Sequence, residues 1–122
     1  MSTAASSLLD MVSADEQTTL AAGSLARRLL AEHGDLPVDR VSLRYLGEVH
    51  LSMPNAGAVR AWAARLGVQV SSFTDEAPYK VVYEHHSADA FVEGKRVHIG
   101  ACRVLRDAEA EAWRAARDGG TA

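Results

Sequence analysis

Histidine and cysteine residues are concentrated in the C-terminal third of the sequence, at His85, His86, His98 and Cys102. A histidine beside a cysteine can lower the pKa of the thiol and make it a nucleophile, and a group of histidine and cysteine side chains can bind zinc. A predicted hairpin places His85 opposite Cys102. These residues therefore indicate one candidate function, a small enzyme or metal-binding protein that uses His85, His98 and Cys102.

The spacing of the same residues argues against that chemistry. His85 and His86 are adjacent and face opposite sides of a strand, and neither a Cys-x-x-Cys nor a His-x-x-x-His pattern accompanies them. We therefore predict that Cys102 is half-buried and packs as a small apolar residue, with the histidines on the solvent face. The sequence also has no phosphate-binding glycine loop and no nucleophile elbow, so we assign no catalytic, cofactor-binding or metal-binding residue.

Four arginines could form a basic stripe for phosphates: Arg40 and Arg44 on a first predicted hairpin, and Arg60 and Arg65 on the following helix. They indicate a nucleic-acid-binding module as a second candidate function. Against it, we expect no stacking aromatic residue among them, because Tyr45 faces the core side, and the chain has a net charge of −3.

The elements that position these residues begin with a helix. Ser13 and Glu16 have the spacing of a capping box, so we predict a helix from Ser13 that ends at Gly34, preceded by a flexible tail over residues 1–12. Alternating residues at 39–45 and 49–53 then predict a hairpin. A three-residue loop keeps both apolar sets on one face if Tyr45 pairs with Val49.

The second half of the chain predicts a helix capped by Asn55 and centred on a buried Trp62, a strand at 68–73 and a loop at 74–78. The long hairpin follows at 79–92 and 95–105, turning at Glu93-Gly94. This turn pairs four sets of residues sensibly: Val82 with Leu105, Glu84 with Arg103, Asp89 with His98, and Ala90 with Val97.

A last predicted helix runs from Asp107 to about Arg117, with Trp113 as its one large apolar residue. Trp113 docks on its own domain or on another chain. The elements predict a single α+β domain over residues 13–117, in the order α-β-β-α-β-β-β-α, and a flexible tail over 118–122. We expect a five-stranded, mostly antiparallel sheet with helices packed on one face.

Three segments of the chain, 31–37, 61–67 and 92–98, resemble small uncharacterised actinobacterial proteins of the streptomycete type that are associated with mobile elements. The similarity extends from Leu30 to Val104. It implies no activity, cofactor or site residue.

The composition bounds the function. A chain of 122 residues with a single cysteine and no apolar run of membrane-spanning length is typical of a cytoplasmic protein that binds no membrane. We expect a small non-catalytic interaction or regulatory protein that acts through protein–protein contacts. The open sheet edges and the polar last helix favour a homodimer.

Overall fold

The computed structural model describes residues 3–44 and 47–119. Their helices and strands are α1 (Thr3–Glu32), β1 (Arg40–Arg44), β2 (Glu48–Ser52), α2 (Ala56–Leu66), β3 (Ser71–Ala77), β4 (Val81–Val92), β5 (Lys95–Leu105) and α3 (Asp107–Gly119). A short 3₁₀ turn, Pro78–Lys80, joins β3 to β4. Tyr45, Leu46 and residues 120–122 of the predicted C-terminal tail lie outside the described residues.

The five strands form one sheet in the order β1-β2-β5-β4-β3. β2 and β5 run parallel, and the other three neighbouring pairs are antiparallel. The predicted α+β class, the order of elements and the mostly antiparallel sheet are therefore confirmed. None of the described helices combines the length and the apolar character that a membrane span requires.

All three helices lie on the same face of the sheet. Side chains from the C-terminal half of α1, from α2 and from alternate positions of β2, β4 and β5 form the main core, which consists of Ala22, Leu25, Ala26, Leu29, Val49, Leu51, Met53, Ala58, Val59, Trp62, Ala90, Val97 and Ile99. Trp62 is completely buried, as predicted, and its Nε1 donates a hydrogen bond to the Pro37 carbonyl at 2.9 Å. The asparagine cap of α2 is also confirmed, because the Ala58 N–H donates to Asn55 Oδ1 at 2.8 Å.

The start of α1 differs from the prediction. The helix begins at Thr3, so Ser13 is an interior helix residue and the predicted capping box is wrong. Residues 3–12 are helical where the sequence predicted a tail. They contain alanine, leucine and methionine but neither glycine nor proline, so no residue there stops a helix.

The long hairpin has the predicted register, because all four expected pairs, Val82–Leu105, Glu84–Arg103, Asp89–His98 and Ala90–Val97, lie opposite each other. At the turn, Glu93 and Gly94 both have positive φ, 54° and 76°. Two consecutive residues with positive φ form a type I′ turn, whose twist matches that of the strands. The predicted pairing of His85 with Cys102 follows from this register and is also confirmed.

The first hairpin and β3 correct the sequence interpretation. Leu43 pairs with Val49, whereas we expected it opposite Leu51, so the predicted register is wrong by two residues. A shift of two keeps every side chain on its expected face. β3 covers Ser71–Ala77, so Asp75 and Glu76 belong to a strand and not to the predicted loop.

Helix α3 is docked on its own chain. Trp113 packs against a second small cluster formed by Val82, Leu105 and Ala110, and the Arg117 guanidinium lies 4.7 Å from the centre of the Trp113 ring. A cation at that distance from an indole is attracted by the ring. Trp113 is therefore satisfied within the domain, which resolves the alternative that the sequence left open.

Candidate functional site on the open face of the sheet

The sheet face opposite the helices carries most of the chemistry-bearing side chains. Successive residues of a strand alternate between the two faces of the sheet. The strand residues that alternate with the buried ones therefore point away from the helices, to the side that we call the open face. It holds His50 of β2, His85 of β4 and His98 of β5. An open hollow of about 510 Å³ lies over it, lined by these histidines and by Arg44 and Phe73, among others.

A row of small residues forms the floor of the hollow. Ser52, Gly100, Ser87 and Ser71 lie opposite one another on β2, β5, β4 and β3, so they cross the sheet as one line. Larger side chains stand on both sides of that line. The result is a groove across the strands, with hydroxyl groups along its floor.

One wall of the groove is a chain of polar contacts that ends in two neighbouring imidazole rings. His50 Nε2 lies 2.9 Å from Glu48 Oε1, and His98 Nδ1 lies 2.8 Å from Asp89 Oδ1. Arg96 joins the two carboxylates, with Nε 2.9 Å from Asp89 and Nη1 3.6 Å from Glu48. The centroids of the two imidazole rings are 5.0 Å apart.

Hydrogen bonds lower the pKa of both carboxylates in this wall. The hydrogen bond from His50 lowers the pKa of Glu48, and Arg96 lowers it further. Burial opposes ionisation of Asp89, but hydrogen bonds from Arg96 and His98 outweigh it, so the pKa of Asp89 is also lowered. Both carboxylates are therefore ionised at neutral pH and are already occupied by partners.

The opposite wall is aromatic. The Phe73 ring stacks on His85 with centroids 4.4 Å apart and an interplanar angle of 15°, and His85 Nε2 lies 3.0 Å from Asp75 Oδ1. Phe73 is nevertheless 55% exposed, so one face of its ring is available to a ligand. Sequence reasoning missed this residue, because β3 was placed too early in the chain.

Cys102 stands beside His85 and is exposed, so the prediction of a half-buried cysteine is wrong. Its strand neighbour β2 ends at Ser52, opposite Gly100, and leaves that side of Cys102 uncovered. Partial desolvation raises the pKa of the Cys102 thiol, and the negative charge of Asp75 raises it further. A thiol held protonated is a poor nucleophile, so this arrangement does not favour covalent catalysis.

The geometry does not gather the histidines into a metal centre. Among residues 3–44 and 47–119, no group of three or more histidine, cysteine, aspartate or glutamate side chains is arranged to hold a metal ion. His98 and Cys102 are four positions apart on β5, about 13 Å along the strand. His85 and Cys102 are neighbours, but His98 belongs to the other wall.

The predicted arginine stripe is divided between two sides of the protein. Arg40 and Arg44 lie on the open face, because the intervening Val41 and Leu43 face α1. Arg60 and Arg65 are on α2, which packs on the opposite face. Arg65 is moreover paired with Asp35, with Nη2 and Oδ2 2.7 Å apart. The four residues therefore do not form the single surface that the sequence suggested.

A second unusual surface is the N-terminal part of α1. Residues 7–20 are all exposed, and Thr18 lies beside Gly47. We call residues 3–20 the arm. Its large apolar residues are between 54% and 73% exposed: Leu8, Leu9, Met11, Val12 and Leu20.

Comparison of the chain with protein-family models, with curated proteins and with solved structures finds no match in any of the three.

Proposed function

We propose that this is a non-catalytic interaction protein that forms a homodimer through the arm of α1. The observation that carries the proposal is the row of five large apolar side chains on the arm, each more than half exposed. A protein surface rarely leaves so many large apolar groups together in water unless they meet a partner. The exposed thiol of Cys102 suits the reducing environment of the cytoplasm, where we place the protein.

The arm gains little from its own domain. The full α1 helix is about 45 Å long at 1.5 Å per residue, and its buried stripe starts only at Ala22. Most helix stability in proteins comes from packing of an apolar face rather than from the helix alone. Burial of the arm against another surface would supply that packing.

A second copy of the same chain fits the arm when the two arms run antiparallel. With a two-fold axis near Asp10, Leu8 of one copy faces Val12 of the other, and Leu9 faces Met11. The same alignment brings Asp15 and Glu16 beside the first helical turn of the second copy. That turn has no acidic side chain of its own, and the N-terminal end of a helix dipole attracts negative charge, so Asp15 and Glu16 of the other copy are favourable there.

Light scattering coupled to size exclusion, over a range of protein concentrations, tests the proposal. The wild-type protein is expected to have the mass of a dimer at high concentration. The double variant Leu8→Glu/Val12→Glu is expected to be monomeric and to keep a cooperative melting transition, because neither side chain contributes to the core. Tyr79→Glu is the matched control, since Tyr79 is 96% exposed at the far turn and lies outside the arm.

The charges of the arm give a second test of the alignment. Asp15→Asn/Glu16→Gln is expected to weaken the dimer, whereas Asp10→Asn is expected to leave it unchanged. A tighter dimer in the Asp15/Glu16 variant would mean that like charges meet at the contact, which rejects the antiparallel arrangement. A wild-type monomer throughout the micromolar range would reject the dimer itself.

A further inference from the structure

The open face combines stacking rings with arginines that have no partner. Phe73 and Phe91 are 55% and 75% exposed, and both point away from the helices. Arg40 and Arg44 make no ion pair with any residue that the structure describes, unlike Arg65 or Arg96. Unpaired guanidinium groups and exposed aromatic rings on one face are the two components of surfaces that bind single strands.

From this juxtaposition we infer that the open face binds single-stranded nucleic acid. Bases stack on Phe73, which lines the groove, and Arg40 and Arg44 contact phosphates at the opposite edge of the sheet. Five strands at about 4.8 Å spacing give a platform about 19 Å wide between these two edges. The small floor row through Gly100 leaves room for a strand to cross between the walls.

Two features of the sequence argued against nucleic-acid binding, and the structure bears on each of them. The first was the absence of an aromatic residue near the arginines. Parallel pairing of β2 with β5 places the first hairpin on the same sheet as Phe73, and this pairing is not visible in any local pattern. The arginines and the rings thereby share one face.

The second reason was the net charge of −3, and this charge is not distributed evenly. The arm contains three acidic residues, Asp10, Asp15 and Glu16, and no lysine or arginine, so the remainder of the chain has equal numbers of acidic and basic side chains. On the open face, Glu48, Asp89 and Asp75 are each paired with histidine or arginine. With histidine counted as neutral, these three carboxylates balance Arg40, Arg44 and Arg96 in number. Among the described residues Arg40 and Arg44 form no ion pair, so they are the cations of this face that can meet a phosphate.

The floor residues contribute hydrogen-bonding groups. Ser52, Ser87 and Ser71 present hydroxyls that can donate to phosphate or sugar oxygens, which fixes a strand without reading its sequence. The expected binding is therefore tolerant of sequence and sensitive to salt. Two neutralised phosphates on a single strand correspond to a slope of about −1.4 in log K against log salt.

Fluorescence anisotropy measures this binding with labelled 15-nucleotide oligo(dT) and oligo(U). The salt concentration is varied from about 50 to about 200 mM, the range over which such contacts are lost. Saturable binding by the full chain is expected. Phe73→Ala is expected to weaken it about fivefold or more, since one stacked base is lost. Arg40→Ala/Arg44→Ala is expected to weaken binding and to bring the salt slope close to zero.

Two controls keep the inference open to rejection. Arg60 is equally exposed and lies on the helix side, so Arg60→Ala is expected to leave binding unchanged, and Tyr79→Ala serves the same purpose for the aromatic residues. Equal loss in Arg60→Ala would show nonspecific attraction and overturn the inference, as would undetectable binding of the wild type. Uridine monophosphate, at a nucleotide concentration equal to that of the oligonucleotide, should not displace the labelled probe. Displacement would show that the face binds single nucleotides and would overturn the assignment to a strand. All substituted side chains are exposed, and melting temperatures confirm that the variants fold.

Discussion

His50 and His98 lie directly opposite each other on the parallel strands β2 and β5, with ring centroids 5.0 Å apart. Each ring uses one nitrogen to hydrogen-bond a carboxylate, Glu48 or Asp89. Neither remaining nitrogen bonds to a residue that the structure describes. The two carboxylates therefore orient a pair of imidazoles whose second nitrogens, His50 Nδ1 and His98 Nε2, are free for a ligand at the groove.

Gly100 supports this orientation, and its substitution gives a first prediction. A Cβ at Gly100 would lie 3.3 Å from His98 Nε2, closer than an unstrained contact. Gly100→Ala is expected to displace the His98 ring by a few tenths of an ångström. Loss of an unfavourable strand glycine offsets this crowding, so the free energy of unfolding should change by less than about 1 kcal/mol.

The imidazole ¹⁵N resonances provide the measurement. In Gly100→Ala the His98 signals are expected to shift and those of His33, which lies across the domain beside Trp62, to remain in place. Unchanged His98 signals would contradict the close approach of its ring to Gly100. Gly100→Leu, which fills the floor, is expected to remove oligonucleotide binding as well.

A second prediction concerns the reactivity of Cys102. Only the thiolate reacts with iodoacetamide, so the alkylation rate as a function of pH reports the pKa of the thiol. Because desolvation and Asp75 both raise that pKa, the midpoint is expected above the usual value of about 8.5. Asp75→Asn should lower the midpoint, since it removes the negative charge. A wild-type midpoint below the usual value of about 8.5 would instead identify an activated nucleophile and support the enzyme hypothesis.

The long hairpin shows what could be predicted from the sequence alone. Its turn, Glu93-Gly94, has the residue types of a tight two-residue loop, and the cross-strand pairs then follow by counting. All of this information is local. The register of β4 and β5, and with it the contact of His85 with Cys102, was therefore predicted correctly.

The groove could not be predicted, because it depends on contacts between segments far apart in the chain. The residues around His50 do not specify β5 as the neighbour of β2, because parallel strands are joined by long connections and not by a local turn that fixes the pairing. The arm was missed for a different reason. Ser13 and Glu16 match a capping box, but a helix stops only where continuation is unfavourable, and residues 3–12 continue it readily.

A third prediction tests the core. Trp62→Ala removes the largest completely buried side chain and should lower the free energy of unfolding by about 3–5 kcal/mol, measured by urea denaturation. This is a large share of the stability of a typical domain, so the variant is expected to be partly unfolded at 37 °C. Trp113→Ala should cost less, because Trp113 is only partly buried. The reverse order of the two variants would show that α3 contributes more to stability than α2.

The final prediction concerns Glu76, which ties α3 to β3. Its Oε1 lies 2.8 Å from Arg117 Nη1 and its Oε2 lies 2.8 Å from Arg114 Nε. Hydrogen bonds from Arg117 and then from Arg114 lower the pKa of Glu76 below its ordinary value. A carboxyl group whose pKa is lower in the folded state contributes stability above the unfolded pKa, about 4.3, and that contribution is lost as the pH falls through the folded value.

Glu76→Gln should therefore lower the melting temperature at pH 7 and have a smaller effect as the pH falls below about 4, where the wild-type carboxyl becomes protonated. Hydrogen exchange of the α3 amides should increase at pH 7 in the same variant, because the helix loses its ion pairs with β3. Glu111→Gln is the matched control. Glu111 pairs with Arg114 at 3.2 Å but is largely exposed, so its loss should change the melting temperature little. A difference between wild type and Glu76→Gln that stayed constant from pH 7 to pH 3 would show that the carboxylate charge does not hold α3 in place.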